Sequence, residues 1–234
     1  MLAGCLIDAA IAGAAVPCEE HSLAFGDAKA GWKHRPLSKL KRDTVYAVVR
    51  DGSGRSVLRA TADGAASLYG ALLTPMASAS VWLSWRWKTD ALVPGADNRD
   101  KSREDAPLRV MAFFDGDVAT LPADEQTRFR RAKRIAGRDP PFATLMYVWT
   151  DHVPVGTIIP SAHTSQLKLI AVASGPAGLG NWQSVTRRLA DDYRHAFGAS
   201  PGPLLGVAVM TDSDNTGAKA VGEYTDVRIG CAGG

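Results

Sequence analysis

Lysine and arginine are missing from the first 28 positions, long apolar runs are missing throughout, and cysteine occurs only as Cys5, Cys18 and Cys231. Each absence excludes something. Without the ~18 consecutive apolar residues that span a hydrocarbon core, no transmembrane helix is expected. With no CxxC pair and no Cys/His cluster, a structural zinc site is not expected either. A P-loop and an HExxH helix are also absent, which removes the glycine-rich phosphate cradle and the zincin centre. The histidines, His21, His34, His152, His163 and His195, show no ligand-pair spacing. Repeats with a period of roughly 20–50 residues are not found, which argues against a solenoid or propeller. The formal net charge of +3 is too small to mark a nucleic-acid binder.

The N-terminal stretch from Met1 to Pro17 is small and apolar, as the middle of a secretory leader is, but it lacks a basic start and is interrupted by Asp8. Leu2-Ala3-Gly4-Cys5 matches a bacterial lipobox set too close to Met1 to work as written, so lipidation of Cys5 would need a start farther upstream. Residues 1–18 are thus read as a leader or lipoprotein remnant, with an apolar first strand or a disordered tail as the alternative. Residues 19–234 are read as one domain. If Cys5 is lost or lipidated, Cys18 and Cys231 remain as a pair that could form a disulfide in an oxidising compartment. Two buried free thiols are the competing reading. The expected location is the periplasm or cell envelope.

What the chain does contain is strand signal. Hydrophobic residues make up 46%, enough for a substantial core. Val45–Val49 and Ser56–Ala60 flank Asp51-Gly52-Ser53-Gly54 and read as a hairpin. Val81 to Lys88 alternates, with Val81, Leu83, Trp85 and Trp87 on one face and Trp82, Ser84, Arg86 and Lys88 on the other. Further strands are expected over 108–115, 144–150, 166–173, 204–211 and 224–229. Two helices interrupt them. One runs from Pro122 to Ala136 and stops at Gly137. The other is capped by Ser184 and ends before Gly198. Residues 89–105 read as a long polar loop. The pattern predicts a mainly-β jelly roll or sandwich with two inserted helices.

Several phrases occur together and in order. They are Trp85-Arg86-Trp87, then Asp105-Ala106-Pro107-Leu108-Arg109-Val110 leading to Phe114-Asp115, then Leu145-Met146-Tyr147-Val148-Trp149. Gly178-Leu179-Gly180-Asn181-Trp182 follows, then Asp191-Asp192-Tyr193 with Phe197-Gly198, and finally the run from Met210 to Gly217. From about Phe25 to Ile229 the chain resembles the bacterial family called domain of unknown function 3047. Ser67-Leu68-Tyr69-Gly70 departs slightly from that pattern. The resemblance implies an exported protein with a β-sandwich like that of carbohydrate-binding modules, and it implies no catalytic residues.

Four constellations could carry function. In the run from Asp212 to Glu223, Asp212, Asp214 and Thr216 fall at positions one, three and five, Gly217 at six and Glu223 at twelve. This is the spacing of a calcium loop. Flanking strands rather than helices favour a polar turn instead, with side chains capping backbone groups. The second is a polar sheet face, on which Trp82, Arg86 and Arg109, with Tyr224 and Asp226, could bind a glycan or another polar envelope ligand. In the competing reading Arg86 pairs with an acid such as Asp105, and the tryptophans are core. The third is the basic helix carrying Arg128, Arg130, Arg131, Lys133 and Arg134, then Arg138. It reads as a solvated face, or as a surface for a partner or anionic lipid. Carboxylates are the fourth. Asp105 with Asp226 in one cleft, Asp151, or Asp191 with Asp192 could serve a glycan hydrolase or lyase, although adjacent acids on a helix diverge. The leading expectation is glycan binding without catalysis. A hydrolase or lyase and a non-catalytic scaffold are the alternatives.

Overall fold

The structure is a computed structural model that describes residues 15–137 and 139–231. Cys5 with its surrounding segment, Arg138 and the side chains of Ile135 and Ala136 lie outside the described residues. The strands are β1 (His21–Ser22), β2 (Trp32–Pro36), β3 (Val45–Arg50), β4 (Ser56–Asp63), β5 (Ser67–Met76), β6 (Val81–Lys88), β7 (Arg109–Phe114), β8 (Ala143–Thr150), β9 (Ile158–Pro160), β10 (Leu167–Ser174), β11 (Gln183–Arg188), β12 (Leu204–Met210) and β13 (Lys219–Cys231). Helix α1 (Ala123–Ala136) joins β7 to β8, and α2 (Leu189–Phe197) joins β11 to β12.

They form a two-sheet sandwich. The six-stranded sheet runs β11-β6-β13-β4-β3, with β1 pairing to β13, and the seven-stranded sheet runs β2-β5-β12-β7-β8-β10-β9. Between the named strands pairing is antiparallel except for β8 and β10, which run parallel, and isolated parallel bridges join Val16 to Met76 and Arg42 to Ala65. The expected 45–60 hairpin forms, with Val45 opposite Thr61 and Arg50 opposite Ser56. The expected helix ends are also present, since Gly137 and Gly198 both take the left-handed conformation that closes a helix.

The core between the sheets follows from alternation. Trp85 and Trp87 from β6, Tyr147 and Trp149 from β8 and Tyr224 from β13 are fully buried there with Leu58, Leu83, Val110 and Val209. The seven-stranded sheet is apolar on its other face as well. Met111, Phe113, Met146, Val148, Ala208 and Met210 point outward into a second buried cluster with Leu68 and Leu169. A sheet buried on both faces reads as unbroken apolar runs rather than as alternation, as Val110-Met111-Ala112-Phe113-Phe114 does.

Two expectations need correction. Ser184 does not cap a helix. It lies in β11, which pairs antiparallel with β6 so that Ser184 faces Arg86, and the helix begins only at Leu189. Edge pairing to the long alternating β6 outweighs a local capping preference. The second concerns Tyr224 and Asp226, which do not share a face. A bulge between Thr225 and Arg228 shifts the register against β6, and Asp226 takes φ 52° within it. Tyr224 therefore points into the core and Asp226 outward.

Cys18 and Cys231 are joined by a disulfide that closes a separation of 213 residues. It ties the start of the described chain to the end of the last strand. Reduction, or replacement of both cysteines by alanine, is expected to lower unfolding free energy by about 2–5 kcal/mol. Urea unfolding with and without reductant checks this, and coincident curves would show that the crosslink adds nothing.

Candidate functional site

The structure distributes the expected sites over two opposed surfaces. Arg109 is on β7 of the seven-stranded sheet, whereas Trp82 and Arg86 are on β6 of the other, so the three do not share a face. Arg109 is also buried. Its Nε and Nη2 reach Asp212 Oδ1 and Oδ2 at 2.7 and 3.0 Å, Nη1 lies 3.0 Å from Met146 Sδ, and Nη2 also donates to the Glu104 carbonyl. Tyr224 is no surface aromatic. Its hydroxyl is 2.6 Å from the Met210 carbonyl and 2.9 Å from Thr211 Oγ1, while Thr211 Oγ1 donates to the Pro107 carbonyl at 2.8 Å. This crossing is tight enough to require Gly222, where a Cβ would stand 2.5 Å from the Pro107 carbonyl oxygen.

The turn after β12 is built around two carboxylates. Asp105 accepts from Thr216 N and Oγ1, both at 2.7 Å, and from Asn215 N at 3.2 Å. Asp212 accepts from Ala106 N at 3.2 Å in addition to Arg109. Asp214 pairs with Lys41. Oxygens of Asp105, Asp212 and Asp214 lie within 4.8 Å of one another, but their positive partners are Arg109 and Lys41. Glu223 is not brought to this turn. It is held by Arg59 at 2.6 Å and Lys88 at 2.9 Å on the six-stranded sheet. The run with calcium-loop spacing folds as a turn with a remote twelfth residue, and Thr216 donates its hydroxyl out of that turn to Asp105.

Burial pushes the Asp212 carboxyl up to about 7 despite the adjacent Arg109 guanidinium, with Asp105 and Asp214 pushing in the same direction. Burial opposes the charge on Glu104 too, but His163, at 3.0 Å, together with Arg109 and Lys41 holds its carboxyl below the ordinary value.

Beside this cluster the outer face of the seven-stranded sheet opens into a groove of about 590 Å³. Its floor is Leu68, Met111, Phe113, Met146 and Met210, taken from four strands. One wall is α1 with Phe129 and Ala132, and another is Pro141-Phe142. Glu104, His163, Asp212 and Lys41 close one end. The sequence reading missed this groove. Its signal was the second apolar face of the β7 and β8 runs, which had to be covered by something.

On the opposite surface Trp82 is 38% exposed, with the Arg188 guanidinium 5.9 Å from its ring centroid. Arg86 lies 3.7 Å from Asp226, which also meets Arg55 at 3.4 Å. Asp105, in the loop before β7, is turned to Asn215 and Thr216, whereas Asp226 faces outward from β13 beside Arg86 and Arg55, so the two form no common cleft. Asp192 is engaged by Arg187 and, at 2.8 Å, by the Tyr147 hydroxyl, whereas Asp191 pairs outward with Arg194. Gly198-Ala199-Ser200-Pro201-Gly202 satisfies the GxSxG spacing. It leads from a helix toward a strand, the reverse of the strand-to-helix nucleophile elbow.

The architecture is that of a two-sheet β-sandwich with a roofed groove on one outer face. The chain belongs to the family described as Protein of unknown function (DUF3047), which it matches over residues 30–228. Among curated proteins none matches. Three solved structures are similar in outline. The family 11 carbohydrate-binding module of cellulosomal cellulase Lic26A-Cel5E of Clostridium thermocellum is 8% identical, with 93% of this chain and 96% of that one covered and a TM-score of 0.44. The CBM22-1 xylan-binding domain of Paenibacillus barcinonensis Xyn10C is 14% identical, with 95% and 99% covered and a TM-score of 0.39. The xyloglucanase domain of NopAA from Sinorhizobium fredii is 7% identical, with 94% and 100% covered and a TM-score of 0.40. Likeness at this level says nothing about a ligand.

The raised Asp212 carboxyl has a consequence for stability. A group that holds its proton more tightly when folded favours folding at low pH, and loses that contribution as pH rises from its unfolded value of 3.8 to about 7. Relative to Asp212→Asn, which mimics the protonated carboxyl, the wild-type urea midpoint is expected to fall over that window. Identical profiles would show that Asp212 stays ionised against Arg109 throughout.

Proposed function

We propose that this protein is a ligand-binding domain of an extracytoplasmic compartment, with its ligand seated in the groove on the seven-stranded sheet. The observation that carries this reading is the groove itself. Five apolar side chains pave its floor, and charged groups converge at one end. An apolar cleft of several hundred Å³ with a few convergent polar groups is the usual form of a small-molecule site. The Met111, Met146 and Met210 side chains suit a binding floor, because thioethers repack around different shapes. The Cys18–Cys231 disulfide supports placement in the periplasm or cell envelope. Among the described residues no helix is long and apolar enough to cross a membrane.

The uncharged dye Nile red reads the groove directly. Saturable one-site fluorescence enhancement is expected, and it should be lost in Ala132→Trp on α1 and in Ala162→Trp on the loop between β9 and β10, since both residues line the groove. Melting temperatures near wild type would show that both variants fold. Enhancement that survives both substitutions would place the dye elsewhere and remove the reading.

A second reading keeps the glycan on the six-stranded sheet, where Trp82 stands exposed across from Arg188 of β11 and Arg86 and Asp226 pair farther along β6. Aromatic faces beside charged groups suit sugar rings and their hydroxyls. Binding to a glycan array that disappears in Trp82→Ala would support this surface. Substitution of a half-exposed residue should cost much less than the ~3–5 kcal/mol of a core tryptophan. A blank array would end the glycan reading, and binding that persists in chelator would exclude a cation requirement at Asp212 and Asp214.

A further inference from the structure

We infer that the groove takes an anionic amphiphile, a molecule with an apolar chain and a carboxylate or phosphate head. The inference rests on the groove reading and adds the class of ligand.

It follows from which charges at the groove remain uncompensated. Every carboxylate in the lining has a partner within the protein. Asp212 is bound by Arg109, and Asp214 by Lys41. Glu104 meets His163 at 3.0 Å, and Glu125 accepts from Thr164 Oγ1 at 3.0 Å and Ser165 N at 2.9 Å. The cations are treated differently. Among the described residues Arg128 donates to a neutral acceptor, the His163 carbonyl at 3.1 Å. Among the described residues, no carboxylate lies within ion-pair distance of Lys101, Arg128 or Arg131, all of which line the groove and are exposed. The unspent charge at the mouth is therefore positive.

The interior offers little to a hydroxyl-rich ligand. Met111, Phe113, Met146 and Met210 present no hydrogen-bond donor, and thioether sulfur accepts only weakly. Polar ligand groups placed there would lose water without replacement, which is unfavourable. An alkyl chain loses nothing there and gains about 0.8 kcal/mol per buried methylene. The charged head would remain at the rim, where guanidinium groups bind carboxylate or phosphate in a two-pronged way. Two arginines spaced three apart on α1 both face the opening, so one head group can meet both. The basic helix and the second apolar sheet face thus serve one site.

The test is calorimetric titration of the full chain with three twelve-carbon ligands below their micelle concentrations. These are dodecanoate, dodecyl phosphate and uncharged 1-monolauroylglycerol. Stoichiometric binding is expected, with at least one anion about tenfold or more tighter than the glyceride, a difference of about 1.4 kcal/mol. The stronger of the two anions identifies the head group. The double variant Arg128→Gln/Arg131→Gln should bring the anions down to the affinity of the glyceride and leave the glyceride unchanged. Equal affinity for charged and uncharged ligands in the wild-type protein would overturn the inference, as would equal losses for all three in the double variant. If Nile red binds but none of the three amphiphiles does, the inference fails while the groove reading stands. If Nile red also fails, both fall.

Discussion

The buried pairing of Arg109 with Asp212 sets the geometry on which the candidate site depends. A guanidinium has five N–H donors in a fixed plane, and here they are directed at both oxygens of Asp212, the Glu104 carbonyl and the Met146 sulfur. Buried ion pairs add little net stability, because desolvation consumes most of the attraction. What this one supplies is position. The turn after β12, the start of β7, the loop at Glu104 and the floor of the groove are all registered against one rigid fork. Asp105 extends the arrangement by capping the turn at Asn215 and Thr216, and Tyr224 carries it across to the second sheet through Met210 and Thr211.

Much of this fold was legible where local chemistry and tertiary packing agree. The hairpin around Asp51-Gly52-Ser53-Gly54, the two-sided alternation of β6 and the glycine-closed helix ends needed only short-range reasoning. Legibility failed where one residue changes the phase. The bulge at Thr225 and Asp226 inverts the parity of everything downstream, so counting by twos from Asp226 assigns Tyr224 to the wrong surface. Ser184 was misread for a related reason. Its capping chemistry is real, but β6 offers six paired positions to the same segment.

The spacing of the Asp212 turn illustrates a different limit. Oxygen-bearing residues at alternate positions followed by glycine do form a tight, carboxylate-rich turn. Whether a cation or an arginine satisfies it depends on what the rest of the fold delivers, and here Arg109 and Lys41 arrive from separate segments. Glu223, fixed by the β13 ladder with Arg59 opposite, never had the freedom to turn back. Spacing along the chain therefore specified a turn and its polarity, while the charged partners of its carboxylates come from elsewhere in the fold.

The groove was the least legible feature because its parts are unremarkable in sequence. An apolar strand with two buried faces needs a cover, and an amphipathic basic helix needs a support, yet nothing local says that each answers the other. The sheet order does. With β7 and β8 adjacent and joined through α1, the helix must return over the sheet to which both strands belong. Its apolar side, with Phe129 and Ala132, then faces Met111 and Met146 across a gap, while Arg128 and Arg131 edge the opening. A fully closed contact would have made α1 an ordinary packing element. The gap left between helix and sheet, bounded at one end by rigid charges and floored by adaptable thioethers, is what turns a covering helix into the wall of a site.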